Sequence, residues 1–212
     1  MEGPRVAPFV HHHERYERWF ERHDAAYLSE LLAVRALLPW TGRGLEIGVG
    51  SARFAAPLGI EFGIDPAPEM LAYARSRGVR VACAVAEALP FAPAAFDFAL
   101  VVTTICFVED PAAMLTEAHR VLKPGGVLVI GFIDRASALG SEYEAHRAEN
   151  VFYRDAKFYT AAEVEGLLGK AGFGAPAWAQ TIFRPLPEIQ EIEPLRAGRG
   201  EGSFVVVRAA RD

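Results

Sequence analysis

From Gly44 onward the chain alternates short apolar runs with stretches of helical periodicity, which restricts it to a mainly parallel sheet with helices on both faces. Five runs read as strands, at residues 44–47, 60–64, 79–84, 96–102 and 127–133, with helical connections at 68–77 and 111–122. The connection at 51–59 has room for barely two helical turns, less than the dozen or so residues a parallel crossover needs, so Pro57 and Gly59 must turn the chain quickly. Upstream, Tyr16, Trp19, Phe20, Tyr27, Leu31, Leu32 and Leu38 keep helical spacing until Pro39, predicting one or two amphipathic helices over 14–38. Downstream, 134–158 lacks periodicity. The segment YTAAEVEGLLGKAGF then predicts a helix capped by Thr160, with Glu163 in capping-box position and Gly172 at its end. Two last strands, 178–184 and 203–209, have no helix between them and predict an antiparallel pair at one sheet edge; LRAGRGEG at 195–202 reads as a loop. Seven strands result.

At 212 residues the chain is long enough to bury a continuous core without staples, and one domain over 1–212 is expected, with 1–40 as a helical cap and 41–212 as the sheet core. The net charge of -5, with both signs dispersed, offers no basic surface for phosphates, so nucleic acid is not an expected partner. Two cysteines, Cys83 and Cys106, each in an apolar run, do not make a disulfide framework and suit a reducing compartment. No uncharged apolar run reaches about 18 residues and no signal-peptide pattern is present, which predicts a cytoplasmic protein without a membrane span.

The chemistry concentrates at three strand ends. In GLEIGVGSARF a strand runs into Glu46, Gly48 and Gly50 before a helix; glycine permits a sharp turn and close backbone approach to a ligand, and a helix start favours an anionic group. The sixth position of a dinucleotide fingerprint would be small, but here it is Arg53, which disfavours NAD. The strand ending EFGID places Asp65 about 20 residues after the loop, where a carboxylate can accept hydrogen bonds from both ribose hydroxyls. After the next strand, VAEALPF puts Ala86 and Glu87 where an adenine edge could be read. Ligands of open α/β sheets bind outside the carboxyl ends of the strands near the switch in strand order, the crevice these residues would share. His11–His13 lack the i, i+4 spacing of a helical metal site, and none is expected.

With those segments in order, the chain resembles the class I S-adenosylmethionine-dependent methyltransferases, and within them the small quinone-biosynthesis-like, type 11 group. GLEIGVGSA is similar to the first motif, GIDPAPEML to the second, AEALPF to the third, FDFALVVTTICFVEDP to the fourth and LKPGGVLVIGFID to the loop and strand that follow, over about residues 43–173. The resemblance implies a three-layer, Rossmann-like, doubly wound sheet of seven strands in the order 3-2-1-4-5-7-6, with an antiparallel last strand. It further implies that Glu46, Gly48 and Gly50 line the methionine portion, that Asp65 holds the ribose diol, that Met70 packs near adenine, and that Pro66 and Ala88 are cofactor-binding. Ala86 with Glu87 would read the adenine edge, and Thr103 with Thr104 would face the reacting methyl. Ala52 departs from the pattern, which often has Gly there. Tyr16 and Trp19 would fold over the cofactor; plain core packing is their alternative role.

The implied reaction is in-line methyl transfer from S-adenosylmethionine to a small-molecule acceptor, leaving S-adenosylhomocysteine. Alignment in a dry pocket carries most of that task, so no catalytic residue is singled out and the acceptor is not identified. Its contacts are expected in 134–158 and the N-terminal helices. The rival readings are a catalytically silent binding module and an NAD-type oxidoreductase.

Overall fold

The computed structural model describes residues 6–174 and 176–212. Three helices open it, α1 (Ala7–His11), α2 (His13–Arg22) and α3 (Asp24–Leu37). Then follow β1 (Gly44–Ile47), α4 (Ala55–Leu58), β2 (Phe62–Asp65), α5 (Pro68–Ser76), β3 (Arg80–Cys83), β4 (Phe96–Val102), α6 (Pro111–Val121) and β5 (Leu122–Ile133). The remainder holds α7 (Ala138–Ala145), α8 (Ala161–Lys170), β6 (Ala177–Thr181), β7 (Arg196–Ala197) and β8 (Phe204–Ala210).

One sheet runs β3-β2-β1-β4-β5-β8-β6-β7, parallel from β3 to β5 and antiparallel beyond. The order reverses between β1 and β4, which opens the crevice expected of a doubly wound sheet. The expected order is therefore present, with an eighth strand at the edge: two residues of the stretch read as a loop, Arg196 and Ala197, pair with Gln180 and Ala179 of β6.

Strict alternation along the central strands explains the layers. On β4, Ala99 and Val101 face one core with Leu128, Ile130 and Phe132 of β5, under Met114, Leu115 and Ala118 of α6 and Val164 and Leu168 of α8. Phe98, Leu100 and Val102 face the other, with Val129, under Ala26, Ala33 and Val34 of α3, Ala55 of α4 and Leu71 and Ala74 of α5. A strand buried on both faces needs an apolar residue at nearly every position, which is what β4 and residues 127–133 of β5 show. Helix α3 packs against β5, β6 and β8 and belongs to this layer, while α1 and α2 continue past it.

The short first crossover is as tight as expected. It contains a single turn, α4, and Gly59 ends it in the left-handed region at φ 72°. The capping box of α8 is formed: the Glu163 amide donates to Thr160 Oγ1 at 3.2 Å, and the Thr160 amide donates to Glu163 Oε2 at 2.7 Å. Asp110 caps α6 by accepting from the Ala112 and Ala113 amides. The aperiodic stretch after β5 folds into α7, capped by Ser137, followed by turns.

Candidate active site

The turn after β1 is built by backbone geometry that side chains would obstruct. Gly48 and Val49 donate their amides to the Ile64 carbonyl at 2.9 and 2.8 Å, tying the turn to β2. Gly48 has φ 74°, and a Cβ there would lie 2.2 Å from Thr104 Oγ1, so only glycine fits. Gly50 has φ 49°, and a Cβ there would meet no clash, only ordinary contacts with Met70 Cε at 3.6 Å and the Tyr16 hydroxyl at 3.7 Å. Ala52 occupies the left-handed region at φ 63° and is fully buried, which explains a glycine preference there and why only the smallest side chain substitutes for it.

Asp65 closes β2 and organises the crevice. Its Oδ2 accepts the Gly50 amide and its Oδ1 the Ala67 amide, both at 2.9 Å. Each oxygen keeps a lone pair for a further donor. Burial pushes its carboxyl up to about 6, against the lowering by those two amides. Glu46 is 2% exposed on the sheet face covered by α3 and α4; burial holds its carboxyl well above the ordinary range, the Ala55 amide opposes this, and Oε2 has no hydrogen-bond partner.

These residues surround one cavity of about 350 Å³, at the low end of the roughly 300–1,000 Å³ of small-ligand sites. Gly48, Gly50, Asp65, Pro66 and Met70 line it at the β1 and β2 ends, Ala86 and Glu87 beyond β3, and Thr103 and Thr104 beyond β4. Tyr16 and Trp19 of α2 with Phe9 of α1 form the cover. The far wall is Glu30 of α3, Leu139 and Tyr143 of α7, and Phe152 and Tyr153.

Eleven of the thirteen residues singled out in the sequence therefore line one cavity, and two do not. Glu46 stands behind the turn, because it alternates with Leu45 and Ile47 to the opposite face of β1 and lies beneath α4. Ala88 is exposed outside the cavity, where its amide donates to the Val85 carbonyl within a turn. Glu87 reaches the cavity, but its Oε1 accepts the Glu109 and Asp110 amides at 2.9 and 3.2 Å, so part of its carboxylate orders the start of α6. Thr103 holds a left-handed φ of 48°, a strained setting that turns the chain at the end of β4. Cys106 is buried and donates its thiol to the Thr103 carbonyl. Among the described residues no cluster of three or more His, Cys, Asp or Glu is placed to hold a metal ion, and no helix is long and apolar enough to cross a membrane.

Two features were not read from the sequence. Glu17 of α2 accepts from Arg53 at 2.6 Å and from Arg77 at 2.5 Å, and Arg77 donates onward to the Ser51 carbonyl. Burial pushes the Glu17 carboxyl up, yet the two guanidinium groups outweigh it and hold it below its ordinary value. This latch ties the covering helix to the loop after β1 and to the end of α5. The second is Glu30, 7% exposed, pushed up to about 8 by burial. Its signal in the sequence was a charged residue on the face of α3 that carries Ala26, Ala33 and Val34.

Residues 45–130 match the family model described as a methyltransferase domain. A solved SAM-dependent methyltransferase from Thermotoga maritima, described as a possible histamine N-methyltransferase, shares 50% identity, covers 98% of this chain and 100% of its own, and superposes with a TM-score of 0.96. An uncharacterized protein of Methanocaldococcus jannaschii is 43% identical over 93% of this chain and 96% of its own length. The ubiquinone biosynthesis O-methyltransferase of Azorhizobium caulinodans is 32% identical over 72% of this chain and 67% of its own length. The chain belongs to the class I S-adenosylmethionine-dependent methyltransferases.

Proposed function

We propose that this chain transfers the methyl group of S-adenosylmethionine to a small-molecule acceptor held in the same cavity, inside the cytoplasm. The observation that carries this reading is the hydrogen bond between the Gly50 amide and Asp65 Oδ2, which fixes a glycine turn and an acidic strand tip side by side on the wall of one crevice. An adenosyl ligand fits: Gly50 leaves space above its backbone, Asp65 has lone pairs for two ribose hydroxyls, and Glu46 Oε2 is an unpartnered acceptor behind the turn.

In this reading Gly48 and Gly50 flank the methionine portion, with Glu46 acting behind them. Asp65 and Pro66 hold the ribose, and Met70, Ala86 and Glu87 border the adenine. Thr103 stands nearest the transferred methyl, and Tyr16 and Trp19 cover the site and exclude water. When bound, the cofactor would supply a sulfonium whose methyl carbon the acceptor attacks in line, with the thioether S-adenosylhomocysteine as the leaving group. The protein's contribution is alignment and dehydration, which convert a bimolecular encounter into a positioned one. The aromatic covering faces also favour a sulfonium cation by roughly 0.5–2 kcal/mol. Ala88 has no role in this reading.

The small cavity supports a small acceptor. The relatives named above act, by their descriptions, on a quinone precursor oxygen in one case and on histamine nitrogen as a possibility in the other, so relatives of this kind span O- and N-methylation. Isothermal titration with S-adenosylhomocysteine tests the reading. Micromolar binding by the wild-type protein, weakened about tenfold or more by Asp65→Ala, is the expected result. Absence of heat with the wild-type protein would contradict it and favour a catalytically silent module.

A further inference from the structure

Glu30 is a buried acid that the cofactor end of the cavity does not use. It lies mid-α3, one helical turn from buried Ala26, Ala33 and Val34, where the helix pattern calls for an apolar side chain. Only 7% of it is exposed, it lines the cavity, and among the described residues no hydrogen-bond donor or cation meets its carboxyl. A mostly buried carboxyl without a protein partner is costly, so its retention on the wall of a ligand cavity points to a ligand that completes it.

Its place in the fold identifies which ligand. Because α3 packs on β5, β6 and β8, Glu30 enters the cavity from the half of the sheet away from β2 and β3, whose ends carry Asp65 and Ala86. Three tyrosines, Tyr16 of α2, Tyr143 of α7 and Tyr153 after it, lie close enough for the Glu30 charge to raise their phenols further above the ordinary range. Tyr153 stacks with Phe107 at 6.1 Å between ring centres, and Phe107 meets Phe9 edge-on at 5.0 Å. The other titratable groups lining the cavity are Arg15, Arg22 and His23 around α2, with Asp65 and Glu87 at the strand ends. Arg15 and Arg22 are exposed, and Arg15 lies over Phe152 rather than against Glu30. Aromatic faces around an unpartnered carboxyl are complementary to an organic cation that can donate hydrogen bonds.

Resting on the methyltransferase reading, we infer that Glu30 binds the ammonium group of a small amine acceptor and takes the proton that the nitrogen must lose before it attacks. An ammonium hands one proton to the Glu30 carboxylate and becomes a neutral amine. The nitrogen lone pair then forms the N–C bond while the C–S bond of the sulfonium breaks, its electron pair remaining on sulfur as the neutral thioether. The product departs as a methylated ammonium, and the Glu30 carboxylic acid returns its proton to solvent. Burial, which pushes this carboxyl up to about 8, lets it hold that proton near neutral pH.

The test is isothermal titration of wild-type, Glu30→Gln and Glu30→Asp proteins, each saturated with S-adenosylhomocysteine, at pH 7 in two buffers of different ionisation enthalpy. The probes are 2-phenylethylamine and its uncharged counterpart 2-phenylethanol. The wild-type protein is expected to prefer the amine by about tenfold or more and to release close to one proton, because the arriving ammonium displaces it from Glu30. Glu30→Gln is expected to lose both the preference and the proton release, and Glu30→Asp to recover part of each. An amine that does not bind, that binds no tighter than the alcohol, or that keeps its preference in Glu30→Gln overturns the inference. Failure of the wild-type protein to bind S-adenosylhomocysteine in the first step would instead strike the methyltransferase reading, and the inference with it.

Discussion

Single residues at the turn after β1 set whether a ligand can approach. A methyl group on Gly48 would overlap Thr104 Oγ1 and Cγ2 at 2.2 and 2.3 Å and would also force a side chain into φ 74°. Overpacking costs about 1–3 kcal/mol and the left-handed strain about 1–2 more. Gly48→Ala is therefore expected to lower Tm by several degrees and to abolish S-adenosylhomocysteine binding; a thermal-shift assay with and without ligand reads both effects, and a variant that keeps wild-type affinity would contradict the tight turn. This part of the site was legible in the sequence because glycine and acidic residues at strand ends have few other uses. That Glu46 lies outside the cavity lining was not legible, because reading a motif does not assign faces. It belongs to a strand of four residues buried on both sides, and only the alternation with Leu45 and Ile47, fixed by packing, puts it behind the turn. Glu30 was passed over because a lone acid in an amphipathic helix does not reveal which neighbour it faces.

At the scale of elements, the covering helix α2 is held by the Glu17 ion pairs as well as by the burial of Phe20. Removing the Glu17 carboxylate leaves Arg53 and Arg77 without their shared partner, and Glu17→Ala is expected to cost about 1–3 kcal/mol, because the pair is only partly shielded from water. Affinity for S-adenosylhomocysteine is expected to fall as well, since Tyr16 and Trp19 ride on the same helix. Denaturant unfolding and titration check the two effects; unchanged affinity would show that α2 is not part of the cofactor cover. Glu17, Arg53 and Arg77 are separated by 36 and 60 positions along the chain, so local pattern could not connect them. Helices with strong local signals were legible to within a few residues, including the box at Thr160 and Glu163. The two-residue strand β7 was not, because its existence depends wholly on a neighbour, β6, that its own residues do not announce.

For the whole molecule, the buried acids on the cavity link folding to pH. Asp65 and Glu30 are raised from ordinary values of 3.8 and 4.5 to about 6 and about 8. A raised carboxyl means that the folded state binds the proton more tightly than the unfolded chain does. The resulting stabilisation is fully present below the unfolded value and is lost as pH rises through the folded one. The unliganded protein should therefore lose thermal stability progressively between about pH 4 and pH 8, and Glu30→Gln should flatten the later part of that decline. Thermal unfolding across this range decides it: identical slopes for the two proteins would mean that Glu30 is hydrated and unshifted. The sheet order was legible as a whole because alternation of strand and helix leaves few right-handed ways to wind a parallel sheet. The joining of α1 and α2 to the far wall of the cavity depends on contacts among Phe9, Phe107 and Phe152, which no periodicity encodes.

The central claim is that this cavity is the cofactor site, with its ribose end at Asp65. A crystal structure of the protein with S-adenosylhomocysteine tests it most directly. The expected result is a ligand beneath Tyr16 and Trp19, its ribose hydroxyls donating to the Asp65 carboxylate at about 2.5–3.0 Å and its sulfur facing Thr103. A ligand seated elsewhere, or one whose ribose bypasses Asp65, would contradict it.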